Sequence, residues 1–343
     1  MFTGQLVKEL GGVLDKTLGS LLRAGDRCAL LDYPGYSNVG DSAIWLGQRA
    51  CLDRLGIVVT YVCDTSTYSE ERLRSKVGAG PILFTGGGNL GDLWPRHQKL
   101  REAIIRAFPD NKIIQLPQTI WFEKQVNLAR ARAAFNSHSD LTILVRDQRS
   151  RDLAQSEFRA TALLCPDMAF ALGSLPRSGD PDRDFLCLLR QDIESISTTS
   201  GTAVLKSESV DWLTDQPSVR LQLNRFLVEQ QHRHPRCYNW AAPALASLRA
   251  RLWQGLALER VQRGCALLSR AKVVITDRLH GHILSLLLGI PHIVLDNNYG
   301  KISSFYETWT QTSELAHWAE TRAEAAALAR DLIANAPEDR ELN

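Results

Sequence analysis

Nowhere in the 343 residues do two cysteines stand as CxxC; the seven are scattered at positions 28, 51, 63, 165, 187, 237 and 265. An odd, dispersed set argues against a disulfide framework and a structural zinc site, suits a reducing compartment, and reads as small buried hydrophobes. Long apolar runs are scarce as well. The longest, Ile283 to Ile290, is far too short to span a bilayer. Lys8, Glu9, Asp15 and Lys16 interrupt the opening MFTGQLVKELGGVLDKTLGSLL, which is therefore expected to be neither a signal peptide nor a membrane span. Excess charge is also missing: 40 basic against 38 acidic side chains leave a formal +2, which gives no support to nucleic acid as a partner. The loop from Gly35 to Asp41 is not GxGxxG and lacks the Lys-Ser/Thr end of a P-loop, so an ordinary nucleotide fingerprint is absent from it, and no solenoid-type repeat is found.

What remains is an ordinary globular composition, 44% hydrophobic and 23% charged, in a chain long enough that two domains are the default. Leu6, Leu10, Leu14, Leu18 and Leu22 recur every fourth residue, which predicts an amphipathic helix docked on the protein's own core. Apolar runs at 28–31, 57–63, 81–84, 112–116, 141–145 and 163–165 alternate with helical segments, the pattern of a parallel, doubly wound sheet. Gly173 to Asp184, rich in Pro, Gly and mixed charge, reads as a linker. The expected domains are 1–173 and 185–343, joined by 174–184, with an Ala-rich helix over 314–336 packing back on the N-terminal domain. Trp212, Trp240 and Trp253 in the poorly patterned 195–260 read as core before saccharide platforms.

The stretch that organises the chain is Lys272 to Lys301. A β-branched run to Thr276 is followed by helical spacing from Gly281, so Asp277, Arg278, Leu279 and His280 fall at a strand-to-helix turn, where an open α/β sheet binds ligands and a helix N-terminus favours anions. Arg278 brings a planar cation and His280 a proton near neutral pH, together an anionic-substrate site with an acid/base. Ile290 to Leu295 predicts the next strand, and the loop after it ends in Lys301, a second cation for the same rim. Earlier in the chain, Asn38 to Asp41 leads a loop into a helix, where Asp41 is either an N-cap or a ligand. Gly86, Gly87 and Gly88 before Asn89 let a backbone approach a ligand closely. Arg146 stands at another strand end, where a surface ion pair is the blander reading.

Taken in order, Asn38-x-Gly40-Asp41-x-Ala43, Gly86-Gly87-Gly88-Asn89, Leu116-Pro117-Gln118-Thr119, Arg146-Asp147, Pro166-Asp167-x-Ala169 and Thr276-Asp277-Arg278-Leu279-His280-Gly281-His282 resemble the polysaccharide pyruvyl transferase family. The resemblance covers about 28–172 and 262–310. It implies two Rossmann-like domains facing across a cleft, as in GT-B glycosyltransferases. The implied reaction is transfer of pyruvate from phosphoenolpyruvate to a sugar of a surface or secreted polysaccharide, or of its lipid-linked precursor, as a cyclic ketal with release of phosphate. By motif, Arg278 and His280 belong to the phosphoenolpyruvate site, joined by Arg146, Lys301 and Leu279, with His282 orienting its neighbour. Asn38, Gly87, Gly88 and Asn89 line the opposite wall, and either Asp41 or Asp92 deprotonates the sugar. No cofactor or metal is expected, phosphoenolpyruvate being the donor substrate; the location expected is the cytoplasm, including peripheral association with the inner face of the membrane. The alternatives are a GT-B glycosyltransferase using a nucleotide sugar, and a non-catalytic protein of a polysaccharide-assembly complex.

Overall fold

The computed structural model describes residues 3–190, 209–297 and 300–335, and the chain divides into two compact units. One comprises Val13–Ala171 and Leu213–Gln262; the other comprises Met1–Gly12, Leu172–Trp212 and Arg263–Asn343.

The chain opens with α1 (Thr3–Leu21), whose Leu6, Leu10, Leu14 and Leu18 are buried together with Leu22, as the fourfold spacing predicts. The first unit then lays down β1 (Arg27–Leu31), α2 (Val39–Arg54), β2 (Val58–Cys63), α3 (Glu70–Val77), β3 (Ile82–Phe84) and β4 (Gly87–Gly91). These are followed by α4 (Pro95–Ala107), β5 (Ile113–Trp121), α5 (Gln125–Phe135), β6 (Leu141–Val145), α6 (Gln148–Glu157) and β7 (Thr161–Leu164). All pairings are parallel and the order is β2-β1-β3-β5-β6-β7, with β4 also on β5. β5 and β6 are almost wholly buried, the signature of a sheet covered on both faces.

The other unit carries β8 (Arg183–Leu188), β9 (Ser209–Val210), β10 (Ala271–Thr276), α9 (Leu279–Leu287), β11 (His292–Val294), α10 (Lys301–Phe305), β12 (Ala316–Trp318) and α11 (Arg322–Ala334). Between β9 and β10 in sequence come α7 (Val219–Arg233) and α8 (Pro235–Ser269). This sheet is parallel too, in the order β12-β11-β10-β8-β9. Read from β9, it repeats the topology of the first sheet: second strand, first, third, then outward.

Three expectations need correcting. Gly87–Gly91 is a strand, not an open loop: its residues pair with Gln118 to Trp121, and a Cβ on Gly91 would lie 1.8 Å from the Trp121 carbonyl oxygen. The segment from 314 is not one helix, because Ala316–Trp318 adds an edge strand, and Ala325 and Ala329 of α11 pack in the core of the second sheet. Leu213–Gln262, expected in the C-terminal domain, groups with the first sheet. Trp253 stacks on Tyr33 with ring centroids 4.4 Å apart and accepts the tyrosine hydroxyl on its carbonyl, while Gln254 accepts the Trp45 indole N–H at 3.1 Å. Trp212 and Trp253 are buried, so both are core; the Trp240 side chain and Asn298-Tyr299 lie outside the described residues. Six cysteines are free and buried, and the Cys237 side chain lies outside the described ones.

Candidate active site

In each sheet the strand order reverses once, and a doubly wound sheet opens a crevice there at the strand C-termini. In the second sheet this point falls between β8 and β10. The Thr276 hydroxyl donates to the Leu188 carbonyl at 2.8 Å and accepts the Arg278 amide at 3.1 Å, while Asp277 accepts the Arg190 amide at 2.7 Å. These bonds tie the two strand ends together. Burial raises the Asp277 carboxyl, opposed by the Arg190 amide and by the Arg278 cation. Arg278 is the N-cap of α9 in extended conformation, and His280, half-buried, is the second helical residue. Lys301, also half-buried, begins α10 with its amide on Asn297 at 3.0 Å. The strand-to-helix turn therefore stands where the residue pattern predicts it.

The expectation of an open Arg278 cation is corrected by its surroundings. Its side chain is 4% exposed, and Nη2 donates to Asp211 Oδ2 at 2.6 Å. A guanidinium this deep is costly without a counter-charge, and Asp211, just after β9, supplies one.

In the first sheet the reversal lies between β1 and β3. Asp32, directly after β1, is buried and adopts φ +71°, a left-handed conformation that Asp tolerates better than most residues. Its carboxylate accepts from His97 Nδ1 at 2.7 and 2.9 Å and from Asn89 Nδ2 at 3.2 Å. In the neutral ring, with Nδ1 donating to this carboxylate, Nε2 is the acceptor. Asn89 is held in turn: its Oδ1 accepts from Arg101 at 2.9 Å and Gln118 at 2.8 Å. Burial pulls Arg101 down to about 10, opposed by the Asp32 and Glu102 carboxylates.

Asn38 is the α2 cap that was considered for Asp41. Its Oδ1 accepts the Gly40 amide at 3.1 Å and its Nδ2 donates to Asp41 at 2.6 Å. Gly87, at φ +129°, comes close to the same carboxylate: a Cβ there would lie 3.5 Å from Asp41 Oδ1. Asn38, Asp41, Gly87, half-buried Gly88 and Asn89 thus gather at one crevice, with Asp32 and His97 beside them.

Three other expected site residues, Arg146, Asp92 and His282, are engaged elsewhere. Arg146 is fully buried, with Nη1 on Asp167 at 2.5 Å and Nε on Thr119 at 3.0 Å, so its charge is neutralised inside the first unit. Asp92 accepts the Glu123 and Lys124 amides at 2.7 and 2.6 Å and Asn127 Nδ2 at 2.6 Å, which makes it the acceptor for the start of α5. The Leu279 side chain is buried. His282 Nδ1 lies 2.7 Å from His292 Nε2, and its Nε2 lies 2.8 Å from the Thr310 hydroxyl. Because His292 Nδ1 faces the Ile290 carbonyl at 2.8 Å it must donate there, which fixes the direction of the whole chain: Thr310 to His282 to His292 to Ile290. Burial, then the neighbouring His292, lowers His282 well below its ordinary value, and burial lowers His292 to about 4.

Among the described residues, no group of three His, Cys, Asp or Glu side chains is arranged to hold a metal, and no helix is long and apolar enough to cross a membrane.

The family model described as polysaccharide pyruvyl transferase matches residues 38–299. The chain belongs to that family. Pyruvyl transferase 1 of Schizosaccharomyces pombe is 34% identical over 304 residues, 82% of this chain and 69% of the relative. "Putative pyruvyl transferase EpsO" of Bacillus subtilis is 33% identical over 308 residues, 89% of this chain and 91% of the relative. A crystal structure of an uncharacterized Klebsiella pneumoniae protein shares the fold, with TM-score 0.57 at 19% identity over 90% of this chain and 97% of that one. As a polysaccharide pyruvyl transferase the chain is an enzyme, and the matched span takes in Asn38, Asp41, Asn89, His97, Arg278 and His280, with Asp32 and Lys301 just outside it. Asp32 and His97, which sequence reasoning did not single out, add to this pyruvyl transferase what the motifs omit. An acid at a strand end was the available signal for Asp32. His97 and Asp211 carried none, since their partners stand 65 and 67 positions away.

Proposed function

We propose that this pyruvyl transferase takes pyruvate from phosphoenolpyruvate, adds it to two hydroxyls of a saccharide as a cyclic ketal, and releases phosphate. The observation that carries the donor assignment is the β10-to-α9 turn, where Arg278 and His280 stand at a helix N-terminus in the reversal crevice of the second sheet. Phosphoenolpyruvate brings a carboxylate and a phosphate close together. Arg278 binds one anionic group, exchanging Asp211 for the ligand, and Lys301 with the amides opening α9 binds the other.

The acceptor belongs to the Asp41, Asn89 and His97 crevice. A first sugar hydroxyl adds to the enol carbon as its proton passes to a base, Asp41 or the Asp32-oriented His97. His280 delivers a proton to the methylene carbon, which becomes the methyl group of the ketal. The second hydroxyl then replaces the phosphate, which leaves with the C–O bonding pair, and the proton of that hydroxyl passes to the His280 that gave one up. As proposed, the chemistry draws on no cofactor or metal, and the GT-B-like arrangement expected from the sequence is part of the same reading. So is action in the cytoplasm, at the inner membrane face where the acceptor is lipid-linked.

The decisive test is phosphate release from phosphoenolpyruvate against a panel of synthetic and lipid-linked oligosaccharides, with product mass read for one added pyruvate ketal. Thermal protection by phosphoenolpyruvate, with none by nucleotide sugars, is expected. Protection by a nucleotide sugar alone would favour the glycosyltransferase alternative.

A further inference from the structure

Among the described residues β2 is an edge strand: it pairs with β1 and with no strand on its other side. Beside it lies a cavity of about 420 Å³ between Val59–Val62, α3 and the 246–253 stretch of α8. The volume suits a sugar unit or two, and the walls are sorted by chemistry. Val59, Val62 and Trp253 give an apolar side, whereas Ser75 and Ser247 bring hydroxyls. A strand edge without a strand partner adds alternating N–H and C=O groups, which a polyol can match with both donors and acceptors.

Charge then narrows the ligand. Among the described lining residues, Arg72, Lys76 and Arg249 stand against one carboxylate, that of Glu71. Arg249 is 5% exposed and is held in place from two sides: its Nη1 donates to Gln231 at 3.1 Å, and its guanidinium carbon lies 5.7 Å from the Trp253 ring centroid. Arg72 is braced by donation to the Thr67 carbonyl at 2.8 Å. Prepositioned planar cations beside apolar and hydroxyl groups match a carboxylate on a sugar ring.

We propose that this cavity is a second saccharide site, separate from the residues assigned to donor and acceptor, and that it takes a carboxylate-bearing sugar of the polysaccharide. The choice of a saccharide rests on the polysaccharide reading above; the carboxylate rests on the cations. A chain gripped here keeps an acidic residue of the polymer on the enzyme while another residue reacts.

The test reads binding without donor or turnover, so its failure is distinguishable from failure of the proposed reaction. The full chain is titrated by calorimetry and ligand-observed NMR with a disaccharide ending in glucuronate, the matched neutral disaccharide, and glucose 1-phosphate. The glucuronate is expected to bind about tenfold tighter than the neutral sugar, with Arg72→Gln and Lys76→Gln each weakening it by about three- to tenfold. Ala250→Trp, which fills the cavity, is expected to abolish binding. Equal binding of acidic and neutral sugars, preference for the sugar phosphate, or glucuronate binding unchanged by both charge substitutions would each overturn the proposal. Should Ala250→Trp fail to fold, Lys76→Gln at an exposed position still decides it.

Discussion

Arg278 and Asp211, 67 residues apart in sequence, form an ion pair of 2.6 Å at the end of the second sheet. The same guanidinium that the proposed donor needs already has a carboxylate on it, so donor and Asp211 compete. Asp211→Asn keeps an acceptor but removes the competing charge. Its expected result is a KM for phosphoenolpyruvate lowered several-fold together with a lower Tm, because a nearly buried cation loses its counter-charge. Arg278→Lys is expected to raise that KM by about tenfold, since charge survives and the fork does not. Initial rates against donor concentration and a thermal melt read both; an unchanged KM in the two variants removes Arg278 from donor binding.

Asp32 and His97 make a second prediction. A carboxylate fixing Nδ1–H leaves Nε2 free to take a proton, so His97→Gln is expected to lower kcat by about 100- to 10,000-fold with donor affinity intact. Asp32→Asn presents an amide to the ring and favours the wrong tautomer, so kcat falls while the melting profile moves less. A wild-type rate in His97→Gln assigns the base to Asp41 instead.

His280 separates from both by the step it serves. His280→Ala is expected to abolish phosphate release while the protein stays folded and still gains thermal protection from phosphoenolpyruvate. Unchanged turnover rules out the proton donor role.

The pair Arg146 and Asp167 tests a correction. Arg146→Met leaves Asp167 buried without its cation and is expected to cost about 3 to 5 kcal/mol in denaturant unfolding. The KM for phosphoenolpyruvate in whatever remains folded should not change, and a large rise in KM would return Arg146 to the donor site.

His282 and His292 govern acid stability. Both are held neutral, and the folded-state pKa of His292 lies near 4, below its ordinary 6.5, through burial. Between those values the unfolded chain binds more protons than the folded one, so stability is full above about pH 6.5 and falls as pH drops toward 4. The His292 contribution is on the order of 3 kcal/mol, and Tm against pH measures it. His292→Gln is expected to flatten that slope; an equal slope would place the acid sensitivity elsewhere.

Periodicity carried the elements well. Leu141–Val145 has the bounds its pattern predicts, and the turn at Asp277 and Arg278 stands between strand and helix. Local pattern was sufficient there because these elements are contiguous apolar runs that the fold buries almost whole. It was insufficient for Gly87–Gly91, where the glycines serve the close approach of β4 to β5. It was also silent on 213–262, where Trp253 stacks on Tyr33 and Gln254 accepts from Trp45 far back in the chain.

By itself, the sequence determined that this is a parallel α/β enzyme of the pyruvyl transferase family, with a cation and an imidazole on a strand-to-helix turn. Which cations are neutralised was decided only by the tertiary structure. Arg146 and Arg278 look alike as strand-end arginines, and what distinguishes their environments is the carboxylate each one meets, Asp167 past the adjoining β7 or Asp211 past β9. The electrostatic state of a side chain depends on distances in space, and the chain order carries no record of those until the sheets are assembled.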